Sequence, residues 1–220
     1  MELLDISVPI VEGMAVWEGD PPVCIEQVAS IERDGANVSM ISFSLHTGTH
    51  IDSPLHYLQG GMATDQIELD NLVGDVLVVE IPENIRVIEK EQIQDLVKDC
   101  SAERLLFKTS NSKEYPKKWR KFSTDFVALS VDAAIELSKL NLRLIGIDAP
   151  SIAQYGAEYE VHRAFLSENT VILEGTDLSQ VSPGLYWLVC LPLKIVGVEG
   201  TPVRAILLPN RVTFQSERHR

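Results

Sequence analysis

Arg104-Leu-Leu-Phe107, Phe126-Val-Ala-Leu129, Val131-Asp-Ala-Ala-Ile-Glu-Leu-Ser-Lys-Leu140 and Leu142-Arg-Leu-Ile-Gly-Ile147 follow one another in mid-chain, and their reading decides the fold class. They read strand, strand, helix, strand. The last run is almost wholly apolar, which suits a strand buried on both faces. In the helical piece Ala134, Leu137 and Ser138 share a face, and Ser130 stands where an N-cap is expected. Working outward, runs rich in β-branched and large apolar residues predict further strands at Val38–Leu45, Val76–Ile81, Thr170–Leu173, Leu185–Cys190 and Val203–Leu208. A second helix is expected over Glu89–Lys98, where Ile93, Leu96 and Val97 recur at helical spacing. The class is therefore α/β: a single domain with a mixed sheet and few helices, over residues 1–210, followed by a polar C-terminal tail at 211–220.

Composition agrees with one domain. The chain has 220 residues, 45% hydrophobic and 23% charged, with no repeat or low-complexity tract to divide it. Cys24, Cys100 and Cys190 are odd in number, far apart and without a CxxC pair, so a disulfide framework or zinc finger is not expected and a reducing compartment is. The start Met-Glu-Leu-Leu-Asp5 lacks the basic region of a secretory signal. The most apolar stretch, Leu185 to Val198, is interrupted by Pro192 and Lys194 and is shorter than the roughly 20 residues of a membrane span. A cytoplasmic protein without membrane contact is the expectation. The net charge of −13 and the gathering of basic residues only around Lys113 to Lys121 argue against a nucleic-acid partner.

The chemistry concentrates in His46-Thr-Gly-Thr-His50-Ile-Asp52-Ser-Pro-Leu-His56, which holds three of the five histidines. Imidazole and carboxylate are the usual ligands of zinc, and of manganese or iron, at catalytic sites. Positions 46, 50, 52 and 56 are all even, so an extended chain would turn them to one face, while the odd positions Phe43, Leu45, Thr47, Thr49, Ile51 and Leu55 suit a core. A straight strand would set His46 and His50 roughly 13 Å apart, near the limit for sharing one ion. The chain must therefore bend, and Gly48 lies at the midpoint. Pro54 ends any ladder, so the segment reads as a strand that breaks into a ligand-bearing loop. His162 and Glu174 are further candidates, each uninformative alone, and His219 falls in the polar tail. No GxSxG, GxGxxG, Walker or HExxH motif is present.

The segment HTGTHIDSPLH resembles the signature of the cyclase-like metal hydrolases, a family that includes bacterial kynurenine formamidases (arylformamidases). Trp17-Glu-Gly-Asp-Pro21, Gly146-Ile-Asp-Ala-Pro-Ser151, His162-Arg163, Val171-Ile-Leu-Glu174 and Pro192-Leu-Lys-Ile-Val-Gly197 follow in the family's order, so the resemblance runs from about Val8 to Leu208. It implies a swivelling β/β/α fold, a homo-oligomer, often a dimer, and one or two divalent ions per subunit. Zinc is the expected ion and manganese the alternative. Carried over, His46, His50 and Asp52 would hold the first ion; Asp52, His162 and Glu174 would hold a second, with Asp52 as the bridge. His56 would be the general acid/base. The implied reaction is hydrolysis of N-formylkynurenine or a related aryl formamide by hydroxide generated at the metal, a step of tryptophan catabolism through kynurenine.

Two alternatives stand beside it: a hydrolase of a cyclic amide, imide or lactone, as in isatin hydrolases, and a metal-binding scaffold without catalysis. Thr49 stands where the formamidases often have a smaller residue. Trp17 is either an aromatic wall for the small-molecule substrate or ordinary core packing. Asp148 either orients a ligand histidine or plays a plain turn role, and the segment around Tyr115, Trp119 and Arg120 is a lid or a solvated loop.

Overall fold

Leu144-Ile-Gly-Ile147 is buried at every residue and forms the inner strand of a nine-stranded mixed sheet. In the computed structural model, residues 3–96, 102–114 and 121–209 are described. Their strands in chain order are β1 (Leu4–Asp5), β2 (Cys24–Ala29), β3 (Val38–Ser42), β4 (His50–Asp52), β5 (Val73–Glu80), β6 (Val87–Ile88), β7 (Arg104–Lys108), β8 (Ala128–Leu129), β9 (Leu144–Ile147), β10 (Val171–Glu174), β11 (Gly184–Val189), β12 (Gly200–Pro202) and β13 (Ile206–Leu208). The helical segments are α1 (Ile31–Asp34), α2 (Leu69–Leu72), α3 (Lys90–Leu96), α4 (Asn111–Glu114), α5 (Val131–Ser138) and α6 (Glu158–Leu166).

The large sheet runs β1-β13-β11-β5-β7-β9-β10-β4-β12. Its centre, β5, β7, β9 and β10, is parallel, and antiparallel strands flank it on both sides. Alternation along the strands sorts the core into two layers. Leu105, Phe107, Ile145, Ile147 and Ile172 face a layer containing Ile93 of α3, Leu137 of α5 and Phe165 of α6. Leu106, Leu144, Val171 and Leu173 face the other way, against Val76, Leu72, Leu178 and Leu188. This is the expected α/β class with a mixed sheet and few helices.

Several expectations need correction in detail. Phe126–Leu129 yields only the two-residue β8, which pairs with β6 in a separate two-stranded parallel sheet. The reason is local: Asn111 takes both backbone groups of Val127, Oδ1 accepting from its N–H and Nδ2 donating to its carbonyl, each at 3.0 Å. Val38–Leu45 stops at Ser42 and belongs to a hairpin with β2, exposed along all of β3. The predicted helix at Glu89–Lys98 appears as Lys90–Leu96, its last residues lying outside those described. Ser130 caps α5 as expected, its side chain accepting from the N–H of Ala133. Helix α6 was not expected. The tail at 211–220 with His219, and Tyr115, Trp119 and Arg120, lie outside the described residues.

Candidate metal centre

The strand-then-loop reading of the signature is reversed in space. His46 lies in a turn, Gly48 adopts φ +67, and the chain becomes strand only at His50. A side chain at position 48 would be strained at that φ, and a Cβ there would approach Val8 Cγ2 to 3.2 Å. Thr49 fastens the bend to two distant segments. Its hydroxyl donates to the carbonyl of Gly175 at 2.6 Å and accepts from the N–H of Val8 at 2.9 Å. Beyond β4 the chain enters a 3-10 turn at Pro54–His56, which brings His56 back over His46 with ring centroids 4.1 Å apart.

Sheet register supplies the next groups. Glu174 at the end of β10 pairs with His50, and Ile172 pairs with Asp52, so His50, Asp52 and Glu174 share one face. That face lies towards α6, from which His162 projects. His162 Nε2 is 3.2 Å from Glu174 Oε1 and 3.5 Å from Asp52 Oδ2. His50 Nε2 is 3.4 Å from Glu174 Oε2 and 3.6 Å from Asp52 Oδ1. Both rings are oriented from behind: His50 Nδ1 is 3.0 Å from the carbonyl of Gly48, and His162 Nδ1 is 2.8 Å from that of Glu158. A carbonyl only accepts, so each Nδ1 carries a proton, and each Nε2 faces the carboxylates as the nitrogen that becomes a ligand atom once it is free of its own proton. The structure thus brings together all six residues singled out for metal and proton transfer.

The donor set fits a divalent cation. Asp52 is fully buried, and among the described residues no donor meets either carboxylate oxygen in good hydrogen-bond geometry; only histidine nitrogens approach them. His46 Nδ1 stands 2.8 Å from Oδ1, and His162 Nε2 3.5 Å from Oδ2. Buried carboxylate oxygens left unpartnered are costly unless a positive charge meets them. Two groupings place their ligand atoms within 4.8 Å of one another: His46, Asp52 and His56, and His50, Asp52 and Glu174, with Asp52 common to both.

Protonation reflects the same crowding. Burial alone would lower the pKa of His46, but the Asp52 carboxylate outweighs it and, with Glu174 and Glu199, pushes His46 up to about 9. For His162 burial is likewise overcome, by Asp52 and Glu174, and the ring rises to about 10. Glu174, raised by burial and by Asp52, is carried down to about 2 by His162 and His50. His56 moves the other way: burial lowers it, and repulsion from His46 and His162 adds to the effect against the pull of Asp52. Without metal at neutral pH, His46 and His162 hold protons that any ion must displace. Metal binding at pH 7 is therefore expected to release protons, and affinity to rise by about tenfold per pH unit for each proton released, up to pH values near 9. Calorimetry of zinc binding in buffers of different ionisation enthalpy measures this directly, and pH-independent affinity would contradict it.

A cavity of about 190 Å³ opens over the cluster, and His46, His50, His56, His162 and Glu174 form its floor. Trp17 is part of its wall. Its ring meets Phe122 edge-on at 5.0 Å, Tyr155 at 5.7 Å and Phe126 at 6.5 Å. Asp148 lines the cavity but touches none of the histidines. It accepts from the N–H groups of Thr109 and Ser112 and from the Thr109 hydroxyl, and so fixes the start of α4. The plain turn role describes it.

Sequence reasoning missed Glu199, whose carboxylate approaches His46 Nε2 to 3.6 Å. It missed Tyr57 as well, whose ring packs against His162 at 4.7 Å and His56 at 4.4 Å. The position of Tyr57 directly after His56 was the available signal.

Comparison with known proteins gives concordant relatives. The chain is 39% identical over 210 residues to a kynurenine formamidase of Salinibacter ruber, covering 94% of this chain and 97% of that one. It is 34% identical to a kynurenine formamidase of Bacillus cereus, covering 94% and 98%. A solved structure described as a "Potential Metal-Dependent Hydrolase With Cyclase Activity" superposes with a TM-score of 0.82 at 33% identity, covering 96% of this chain and 98% of that one. Isatin hydrolase A of Labrenzia aggregata shares the fold at a TM-score of 0.81 and 22% identity, covering 94% and 93%. The family model described as "Putative cyclase" matches residues 4–154, and the chain belongs to this cyclase family.

Proposed function

We propose that this protein is a divalent-metal-dependent amidohydrolase of the arylformamidase type, cleaving N-formylkynurenine or a closely related aryl formamide. The observation that carries the reading is the fully buried Asp52 carboxylate, approached only by histidine nitrogens and lying beneath the histidines that line an aromatic-walled cavity. The kynurenine formamidase relatives, aligned over nearly their whole length, supply the substrate class.

In this reading His46, His50 and Asp52 would hold one ion, and Asp52, His162 and Glu174 a second. Zinc suits the imidazole donors, and manganese the carboxylates. A divalent ion bound here supplies a water of lowered pKa and positive charge for the carbonyl oxygen. The protein's own groups do the rest. His50 and His162 keep Nε2 turned inward because their Nδ1 protons are committed to backbone carbonyls. The Glu174 carboxylate is steadied by the N–H of Ile152 at 2.7 Å and the Ser151 hydroxyl at 3.3 Å. Trp17, Phe122 and Phe126 seat the aryl group with the formamide towards the histidines. His56 has its basicity lowered by burial and by its histidine neighbours, and is therefore neutral at pH 7. It takes the proton of the attacking water and passes it to the leaving nitrogen.

We further propose a cytoplasmic homodimer. The odd, scattered cysteines support the compartment. Supporting the dimer is the β2–β3 hairpin, which exposes Ile25, Val28, Val38, Met40 and Ile41, a surface that a second subunit would cover. Among the described residues no helix is long and apolar enough to cross a membrane.

The isatin hydrolase fold relatives make the cyclic amide the second reading. Parallel assays of the purified protein on N-formylkynurenine and on isatin separate the two. Faster turnover of the formamide is expected; turnover of isatin alone would transfer the assignment to cyclic amides.

A further inference from the structure

His46 is held differently from the other two inward-facing histidines. His50 and His162 turn Nδ1 to a backbone carbonyl and Nε2 to the carboxylates. His46 is reversed: Nδ1 faces Asp52 Oδ1 at 2.8 Å, and Nε2 points away, towards Glu199 Oε1 at 3.6 Å. That Nε2 is buried and has no hydrogen-bond partner among the described residues.

Glu199 does not arrive there by accident of a loose loop. Its carbonyl accepts from both the N–H and the hydroxyl of Ser53, each at 2.9 Å, and Ser53 directly follows Asp52. The next residue, Gly200, lies opposite Asp52 in the β4–β12 register. The His46 ring rests on Gly200: a Cβ there would come within 2.6 Å of His46 Cε1 and 3.0 Å of Nε2. A side chain at position 200 and the His46 ring cannot both occupy that space.

We propose that Glu199 and Gly200 form the seat of His46, with the Glu199 carboxylate accepting the Nε2 proton so that the ring presents Nδ1 to the ion it shares with Asp52. This rests on the metal reading above and goes beyond it by assigning two residues and a ring orientation. Glu199 is a positioning residue. A carboxylate behind an imidazole fixes its tautomer and raises its basicity more than a neutral carbonyl does. The three histidines are therefore unequal: His46 is backed by a charge, and His50 and His162 by backbone.

The test is zinc titration of the full-length, metal-stripped protein against a competing chromophoric chelator. His46→Ala identifies the zinc site that depends on His46. Glu199→Gln is expected to weaken that same site by about 10- to 100-fold and leave any other zinc site unchanged. Gly200→Ala is expected to weaken the same site by displacing the ring. Combining Glu199→Gln with His46→Ala should weaken it no further than His46→Ala alone, which a general structural defect would not satisfy. In the zinc-loaded protein with labelled histidine, nitrogen NMR should find the ring proton of His46 on Nε2 and those of His50 and His162 on Nδ1. Unchanged zinc affinity in Glu199→Gln, an additive loss in the double variant, or a His46 proton on Nδ1 would each overturn the proposal while leaving the metal reading intact. Failure of the unsubstituted protein to bind zinc or manganese at all would overturn that reading and this one together.

Discussion

Asp52→Asn is expected to strip both ions at once and to lower turnover by about 10³-fold or more. Asp52 is the one carboxylate common to both candidate ligand groupings, and its two oxygens face opposite histidines: Oδ1 lies towards His46 and His50, Oδ2 towards His162. Asparagine keeps the shape but removes the charge and turns one acceptor into a donor. A metal-assisted carbonyl hydrolysis draws several kcal/mol of transition-state stabilisation from the ion, and each 1.36 kcal/mol is about tenfold in rate. The side chain is fully buried, so the amide would also meet His162 Nε2 with the wrong polarity if it turned. Metal content per subunit, measured beside the rate, checks the outcome. Retention of both ions at normal affinity would remove Asp52 from the bridging role.

His56→Ala is expected to keep the metal and lose about 10²- to 10⁴-fold in turnover, the range for a positioned general acid/base. His56 faces the cavity at the end of a 3-10 turn, with its ring stacked on that of His46. Its lowered pKa leaves it neutral and ready to accept a proton at pH 7. The sign follows: activity should fall as pH drops and His56 becomes protonated, and in His56→Ala that limb of the profile should disappear. The grouping of His56 with His46 and Asp52 makes the contrary result informative, since loss of an ion in this variant would recast His56 as a ligand.

Much of this site was legible because its parts are close in sequence. His50 and Asp52 share a face of β4 as even positions must, and a bend was required by the reach of an extended chain, with Gly48 the residue able to make it. The direction of that bend was not legible. It depends on Thr49 bonding to Val8 and Gly175, and no local pattern contains either partner. His162 was found by its residue type and its place in the family's order rather than by its element. Helix α6 escaped because Ala157 offers no side-chain cap and its buried stripe is short, with only Val161, Phe165 and Leu166 as apolar members. The spacing of His162, Phe165 and Leu166 was there to be read. Glu199 was out of reach, for its approach to His46 is created by β12 pairing with β4. In the same way the short strand at Ala128 was identified, but not its separation from the main sheet, because its partner β6 lies about forty residues earlier in the chain.

The buried histidines and carboxylates are proposed to hold the metal on which hydrolysis of an aryl formamide depends. Turnover of N-formylkynurenine by the purified protein, measured as isolated, after chelation and after reloading with zinc or manganese, with metal content determined on each sample, tests it most directly. Hydrolysis is expected to disappear with the metal and to return with it. Undiminished turnover in the metal-free protein would contradict the proposal.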